Sequence, residues 1–222
     1  MIKTLFLTLA SFGLVLLPAQ AEDMQPQVNR SAAILKDFIS GSNPVISPKV
    51  LKAAKGLVIM KVTRGGLIFT GSSGDGVIVK RTTGGWFSSG WSAPAALSTS
   101  GAGFGLQAGG EVIELVLVLT NDAALNEFSQ ETEIKFGGEI KGTAGPDSST
   151  ISENWTPTAP VYIYTRSDGL FGGLSIKGTV FEPEKDKNLS YYGQAVTTRE
   201  ILSGKVKVPA GAKILLNVLK GK

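Results

Sequence analysis

The sequence predicts a single α+β domain, mostly antiparallel β, in which a barrel- or sandwich-like sheet carries short helices at its N- and C-terminal ends. Helical spacing of apolar residues is found near both ends of the chain, and short apolar segments punctuated by glycine occupy the middle. The 28 glycines among 222 residues are close to twice the average share of about 7%, which suits short strands and tight turns. No βαβ rhythm and no long linker divides the chain, so one domain is the simplest organisation.

The first 21 residues are predicted to be a secretory signal peptide. Lys3 gives a positive start, Leu5 to Leu17 form an apolar core, and Ala19-Gln20-Ala21 is a cleavage site of the A-x-A type. The core is shorter than the roughly 20 residues that a helix needs to cross a bilayer. We therefore expect an exported chain whose mature part is residues 22–222, located in the periplasm or secreted and peripheral to a membrane.

Helices are expected at both ends of this mature part. Apolar residues recur at helical spacing over residues 27–40, and Ser47 before Pro48 is a good N-cap that predicts a short helix ending at Lys55. Asn121-Asp122 can cap another short helix. Residues 186–203 are predicted to be irregularly helical, and residues 210–219 are predicted to form a closing helix.

The segments between these helices predict strands. Leu115 to Leu119 are apolar on both faces, so residues 111–120 are expected to form a central strand buried on both sides. Residues 131–142 alternate between apolar and charged side chains, which predicts a half-buried strand followed by a loop over residues 143–159. The remaining predictions are strands at 57–62, 66–70 and 77–81, a turn at 71–76, a hairpin near the tryptophans at 86 and 91, and a last hairpin pairing 161–166 with 174–181.

The composition excludes most catalytic chemistry. The chain has no cysteine and no histidine, which removes disulfides, thiolate zinc sites and every mechanism with a thiol nucleophile or a histidine base. Glu111 and Glu114, the nearest approach to a carboxylate pair, stand three residues apart on a predicted strand and so point to opposite faces. We therefore expect no enzymatic activity, no catalytic residue, no metal and no cofactor.

Nucleotide and nucleic-acid binding are also disfavoured. Residues 103–108 match the dinucleotide pattern G-x-G-x-x-A, but that pattern requires a helix after it and here a strand is predicted. The formal charge is only +4, of which Lys3 in the leader contributes one, and export removes the usual nucleic-acid targets.

Several motifs in a fixed order resemble the SYLF lipid-binding domain family, described as actin-binding in its fungal members. The resemblance covers roughly residues 30–220, nearly the whole mature chain. The motifs are Leu51-Lys52-Ala53-Ala54-Lys55-Gly56-Leu57-Val58-Ile59-Met60, Gly71-Ser72-Ser73-Gly74-Asp75-Gly76-Val77, Trp86 to Pro94, Gly103 to Glu111 with Val116-Leu117-Val118-Leu119, Gly145-Pro146, Tyr162-Ile163-Tyr164, Arg166 to Ser175, and Tyr191-Tyr192-Gly193.

The resemblance implies a single SYLF-like domain over residues 22–222 that binds membrane lipids and has no catalytic activity. Lys177 stands where members often carry an acidic residue, and the SH3 domain commonly joined to this family is not found in the sequence. Because we expect export, cytosolic actin is an improbable partner and an anionic phospholipid membrane surface is the expected one. The alternative is a non-enzymatic domain that binds another protein of the cell envelope or serves as a structural part of it.

The lipid-binding hypothesis rests on basic residues beside apolar stretches and on tryptophans that suit a membrane interface. A cation near an anionic surface contributes about 1 kcal/mol. The competing interpretations are a solvated charged surface for the basic residues, core packing for the tryptophans and an ordinary turn after Arg166. The candidate lipid-binding residues are Arg30, Lys36, Lys49, Lys52, Lys55, Lys61, Arg64, Arg166, Trp86 and Trp91.

Overall fold

The structure, a computed structural model, describes residues 23–66, 69–83, 90–104, 109–138, 141–167 and 178–221. The α-helices are α1 (Gln25–Ser40), α2 (Pro48–Ala53), α3 (Asp122–Phe128), α4 (Lys185–Tyr192), α5 (Thr198–Leu202) and α6 (Lys213–Leu219). The strands are β1 (Gly56–Gly66), β2 (Phe69–Lys80), β3 (Ala95–Phe104), β4 (Gly109–Leu119), β5 (Ile134–Lys135), β6 (Thr143–Ala144), β7 (Val161–Ser167) and β8 (Val180–Pro183). Short 3-10 helices lie at Ser148–Thr150 and Ala210–Ala212.

These strands form one sheet in the order β5-β8-β3-β2-β1-β4-β7-β6. All described pairs of strands are antiparallel except β6 with β7, which is parallel. The predicted class, α+β with a mostly antiparallel sheet and short helices towards both ends, is confirmed. The predicted central strand is also confirmed, because β4 lies between β1 and β7 and its residues 115–119 are buried.

Alternate residues of the sheet face two separate cores, as the two-residue period of a strand requires. On β1, Leu57 and Ile59 face a helix layer made of α1, α2 and α6, whereas Val58 and Met60 face the other side. The second core is covered by α3 and α5. Because both faces are covered there, residues 57–60 of β1, 77–79 of β2 and 115–119 of β4 are continuous apolar runs rather than alternating ones.

The sheet is curled around this second core, so we call that side the concave face. Phe136 shows the curl, because it contacts elements at both ends of the strand order. Its ring lies 6.2 Å from the ring of Phe181 on β8, and a Cβ placed on Gly142, beside β6, would lie 2.7 Å from the same ring. The two flanks of the sheet therefore approach each other across Phe136.

The turn predicted at residues 71–76 is wrong, because these residues lie within β2. Glycine is needed there for close approach between strands and not for a turn. A Cβ on Gly76 would lie 2.0 Å from the carbonyl oxygen of Ile59, and one on Gly74 would lie 2.5 Å from that of Lys61. On the concave face, Met60 and Val62 of β1 occupy the space that these missing side chains leave. Absent side chains on the inner face allow the tight coiling of the sheet.

The predicted hairpin between residues 161–166 and 174–181 is also wrong in its pairing. β7 pairs with β4 and β8 pairs with β3, on opposite flanks of the sheet. Among its described residues, the half-buried strand predicted over residues 131–142 is reduced to β5 and a bridge at Phe136, because Gly137 adopts a φ of 91° and turns the chain. The long strand β3 was not predicted. Residues 84–89 and 168–177, where the tryptophan hairpin and the glycine-rich turn after Arg166 were predicted, lie outside the described residues.

Candidate functional site

The outer face of the helix layer contains an apolar groove of about 760 Å³ between α1, α2 and α6. α1 is amphipathic: Val28, Leu35 and Phe38 are buried against the sheet, while Ala33 and Lys36 are exposed on the opposite side and line the groove. In the described part of the chain, no helix is long and apolar enough to cross a bilayer.

α2 forms a second wall and is fixed at both of its ends. The Ser47 side chain accepts a hydrogen bond from the backbone N–H of Val50 at 3.3 Å, which caps the start of the helix. At its end, the Arg81 guanidinium donates to the carbonyl oxygens of Leu51 at 2.7 Å and Ala54 at 2.9 Å. These contacts hold Leu51 in the groove wall, and the neighbouring Lys49 and Lys52 remain exposed.

α6 forms the third wall. Leu215, Leu216 and Leu219 are buried against the sheet, whereas Ile214 has 49% of its surface exposed and lines the groove. Burying an isoleucine stabilises a complex by about 1.5–3 kcal/mol, so an exposed one beside an apolar groove indicates a contact surface. Lys213 and Lys220, near the two ends of this helix, are exposed.

We call this feature the lysine-rimmed groove: the groove between α1, α2 and α6 together with the exposed lysines on and beside its walls. Asp37 is an exposed acid on the same helix as Lys36. Positive charge around an apolar depression is the arrangement by which an amphipathic surface binds an anionic interface. The five lysines are Lys36, Lys49, Lys52, Lys213 and Lys220.

Three of the sequence-predicted site residues therefore lie on the helices that form the groove: Lys36 lines it, and Lys49 and Lys52 are exposed on α2. Lys49 also donates a hydrogen bond of 2.8 Å to the carbonyl oxygen of Ser152. Lys213, Ile214 and Lys220 were missed, although the closing helix itself was predicted. The spacing of Lys213, Asn217 and Lys220, four and then three residues apart, is the signal that would have shown its outer face.

Two further predicted residues are held in ion pairs by distant carboxylates. Arg30 on α1 pairs with Asp75 on β2, so it spans the boundary between the helix layer and the sheet. The Lys55 Nζ lies 2.5 Å from an oxygen of Asp122 at the start of α3. Asp75 and Asp122 each offset a positive charge that has no acidic partner close to it in the sequence.

The remaining three cations belong to the sheet and stand opposite acids. In the strand register Lys61 lies opposite Asp75 on β2 and Glu114 on β4, and Arg166 on β7 lies opposite the same Glu114. Opposite charges facing each other across strands stabilise the pairing. The Arg166 guanidinium also donates to the carbonyl oxygen of Asn43 and lies 4.9 Å from the ring centroid of Phe38.

Arg64 follows the same pattern, because it lies opposite Glu111 in the register of β1 and β4. Five of the eight predicted basic residues thus pair with acids or lie opposite them in the strand register, which makes them structural charges of the sheet and its boundary. Folding therefore separates the basic residues that cluster in the sequence. Lys36, Lys49 and Lys52 remain together on the helices that form the lysine-rimmed groove.

The predicted interfacial role of Trp91 conflicts with its position in the structure. Trp91 is 2% exposed within the helix-layer core, and the Arg81 guanidinium lies 4.3 Å from its ring centroid. A ring enclosed in this way packs the interior and offers no surface for insertion into a membrane. Trp86 lies outside the described residues.

The fold and the groove define a small binding domain: a curled sheet whose outer helix layer presents an apolar, positively charged surface. Comparison with known proteins agrees with this class. Residues 100–222 match the family model described as "Ysc84: Las17-binding protein actin regulator". The chain is 36% identical over 208 residues to protein YSC84 of Saccharomyces cerevisiae, which covers 90% of this chain and 44% of that protein. The chain belongs to the Ysc84 family, and the predicted SYLF resemblance is confirmed.

Other relatives show the same partial coverage. The identity is 36% over 208 residues to an SH3 domain-containing protein of Schizosaccharomyces pombe, covering 90% of this chain and 47% of that protein. It is 32% over 205 residues to the SH3 domain-containing YSC84-like protein 1 of Xenopus laevis, covering 89% of this chain and 60% of that protein. The chain thus spans about half the length of the curated relatives that it matches.

The family description also corrects one prediction. We expected actin to be an improbable partner, but the matching family is described as a Las17-binding actin regulator. That description is one of a protein that binds and regulates, which accords with the expected binding role. The sequence argument failed because it rested on the predicted export of the chain and not on any feature of the domain's surface.

Proposed function

We propose that this protein is a membrane-binding domain that uses the lysine-rimmed groove to associate with anionic phospholipid surfaces. The observation that carries the proposal is the combination of exposed Ile214, the apolar groove that Lys36 lines, and four further exposed lysines on α2 and at the two ends of α6. Electrostatic attraction brings the face to the head groups, and shallow burial of Ile214 and its apolar neighbours adds to the binding free energy.

The test is co-sedimentation of residues 22–222, which contain every described helix and strand, with lipid vesicles. We expect pelleting with phosphatidylglycerol or cardiolipin vesicles, weakening as salt is raised, and little pelleting with phosphatidylcholine. Screening by salt is expected because the attraction acts between exposed charges. Equal pelleting with charged and neutral vesicles, or no pelleting at all, would overturn the proposal.

A matched pair of double variants tests the location of the surface. Replacing Lys36 and Lys52 with glutamine removes two rim charges and should weaken binding by about 2 kcal/mol, roughly 30-fold. The control replaces Lys55, which pairs with Asp122, and Lys141, whose neighbour Gly142 lies beside Phe136 on the concave face. The control carries the same net charge and should bind like the parent. Equal loss in both variants would show that total charge matters and the groove does not.

The family description favours a second candidate, binding to actin or to a Las17-type protein. It also fits the alternative function of a protein-interaction domain. Sedimentation with actin filaments in the absence of lipid separates the two candidates. Filament binding without selectivity for anionic vesicles would make protein binding the function of this domain.

We also propose that the chain is exported and acts at the periplasmic or outer surface of a membrane. The apolar run from Leu5 to Leu17 and the sequence Ala19-Gln20-Ala21 support this proposal. Mass spectrometry of the protein from its native cells should give a chain that begins at Glu22. A chain that retains residues 1–21 and remains in the cytosolic fraction would contradict it.

A further inference from the structure

The lysine-rimmed groove is a half-open recess with room for a small molecule. Its volume of about 760 Å³ falls within the roughly 300–1,000 Å³ that small-molecule pockets occupy. A face that only rests on head groups needs exposed apolar side chains but no recess between helices. This groove offers both, since Ile214 is exposed at its edge and its floor is formed by smaller or more buried residues such as Ala32 and Ile46.

The lining selects for one apolar chain with one negative group. Most of its walls are aliphatic, from Ala32, Ala33, Ile39, Ile46, Leu51 and Val218. Among the described residues that line it, Lys36 is the single charged side chain, accompanied by the neutral polar groups of Asn29, Ser40 and Asn217. An aliphatic ligand loses no hydrogen bond on entering such a groove, and an anionic group at its head would meet the Lys36 ammonium.

We propose that the groove holds one acyl chain of an anionic phospholipid, with the head group at Lys36 and the other rim lysines. This proposal rests on the proposed membrane function and deepens it, because the domain then binds a single lipid chain as well as the membrane surface. The charge of the rim and the aliphatic lining are complementary to the two ends of such a lipid. Each methylene that leaves water adds to the affinity, so even part of a chain would contribute to binding.

Filling the groove is the direct test. Ala33 is exposed and lines the groove, so Ala33→Trp places a large ring in the volume without removing a core contact or a rim charge. Ala123→Trp is the matched control, because Ala123 is exposed on α3, which packs on the concave face of the sheet. Residues 22–222 of each protein are incubated with phosphatidylglycerol vesicles, separated from them by gel filtration and examined by native mass spectrometry.

We expect the parent and Ala123→Trp to pellet equally with the vesicles, because Ala123 lies on α3, away from the groove. We expect about one phosphatidylglycerol retained per molecule of the parent and of Ala123→Trp, and at least tenfold less on Ala33→Trp. Equal retention by Ala33→Trp, or vesicle binding by the parent with no retained lipid, would overturn the groove proposal and leave the membrane proposal standing. Absence of vesicle binding would instead refute the membrane function.

Two further outcomes would assign the groove to another occupant and so refute the proposal. Light scattering that shows a dimer of the parent and a monomer of Ala33→Trp would assign the groove to a second copy of the chain. Retained phosphatidylcholine in equal amount to phosphatidylglycerol would show that Lys36 does not select the head group, and would contradict the assignment of an anionic lipid.

Discussion

Gly76→Ala is the substitution that most directly tests the curled sheet. Gly76 lies on β2 opposite Met60 of β1. The added Cβ would lie 2.0 Å from the carbonyl oxygen of Ile59 and 2.7 Å from the Cα of Met60. Both atoms belong to the backbone, so no side-chain rotation relieves the contact and the two strands must move apart.

The size of the effect follows from two opposing contributions. Overpacking a well-packed interior costs about 1–3 kcal/mol, and backbone contacts place this case at the upper end. Replacing glycine by alanine also restricts the unfolded chain, which stabilises by about 0.4–1 kcal/mol. The net expectation is a loss of about 2 kcal/mol in the free energy of unfolding.

Gly71→Ala supplies a control in the same strand. No heavy atom lies within 4 Å of a Cβ at Gly71, so only the unfolded-state contribution remains. This variant should be unchanged or up to about 1 kcal/mol more stable. The two variants therefore differ by about 2–3 kcal/mol although both make the same chemical change.

Urea unfolding of residues 22–222, followed by far-ultraviolet circular dichroism, measures both free energies. The dependence on urea should be the same in all three proteins, so that the midpoint alone reports stability. If Gly76→Ala unfolds at the same midpoint as Gly71→Ala, the close crossing of β1 and β2 is not a feature of the folded protein. The explanation given for the glycines of β2 would then be refuted.

Three other substitutions test separate features of the fold. Arg81→Met removes the charged donors to the end of α2 and should cost about 1.5–3 kcal/mol in urea unfolding; an unchanged midpoint would contradict the anchoring of α2. Asn188→Ala leaves the buried backbone N–H of Ala96, which donates to the Asn188 side chain at 2.9 Å, without its partner; we expect a loss of about 1–3 kcal/mol, which Asn188→Asp should partly restore. Burial raises the pKa of Tyr191, whose hydroxyl donates to Gln25, from about 10 to about 12. As the pH rises above 10, the unfolded state loses this proton while the folded state retains it. The stability that is present below pH 10 is therefore lost as the pH rises towards 12, and Tyr191→Phe should lessen that loss. Identical pH profiles of the two proteins would exclude a contribution from Tyr191.

The elements that could be predicted from sequence are those whose signal is local. Five consecutive apolar residues from Leu115 to Leu119 exceed what a half-buried strand allows, and they identify β4 as central. Ser47 before Pro48 marks the start of α2 for a purely local reason, the capping of a backbone N–H. The glycines of residues 71–76 misled because a cluster of glycines commonly signals a turn. Here the cause is close approach to β1, whose Met60 and Val62 stand 16 and 12 residues before their partners Gly76 and Gly74.

The candidate site was only partly predictable for the same reason. Lys36, Lys49 and Lys52 could be found because helical spacing alone places them on outer surfaces. Arg30 and Lys61 looked equivalent in sequence, but Arg30 pairs with Asp75 and Lys61 lies opposite the same Asp75, which becomes a neighbour only when the sheet forms. The contribution of α6 was overlooked because charges were counted within one region of the chain, while the groove joins the two ends of the domain.

The meeting of those two ends also bears on the time course of folding. The Gln25 side chain in the first turn of α1 donates to the carbonyl oxygen of Gly211, just before α6, and both helices cover the same core. Contacts of such large sequence separation form slowly, because a long loop must close before they add stability. A growing chain therefore cannot cover the apolar side of α1 with α6 until residues 213–219 have been added. We expect the domain to stay loosely folded until α6 has been synthesised, a state that a chain threaded through a narrow export channel would have to maintain.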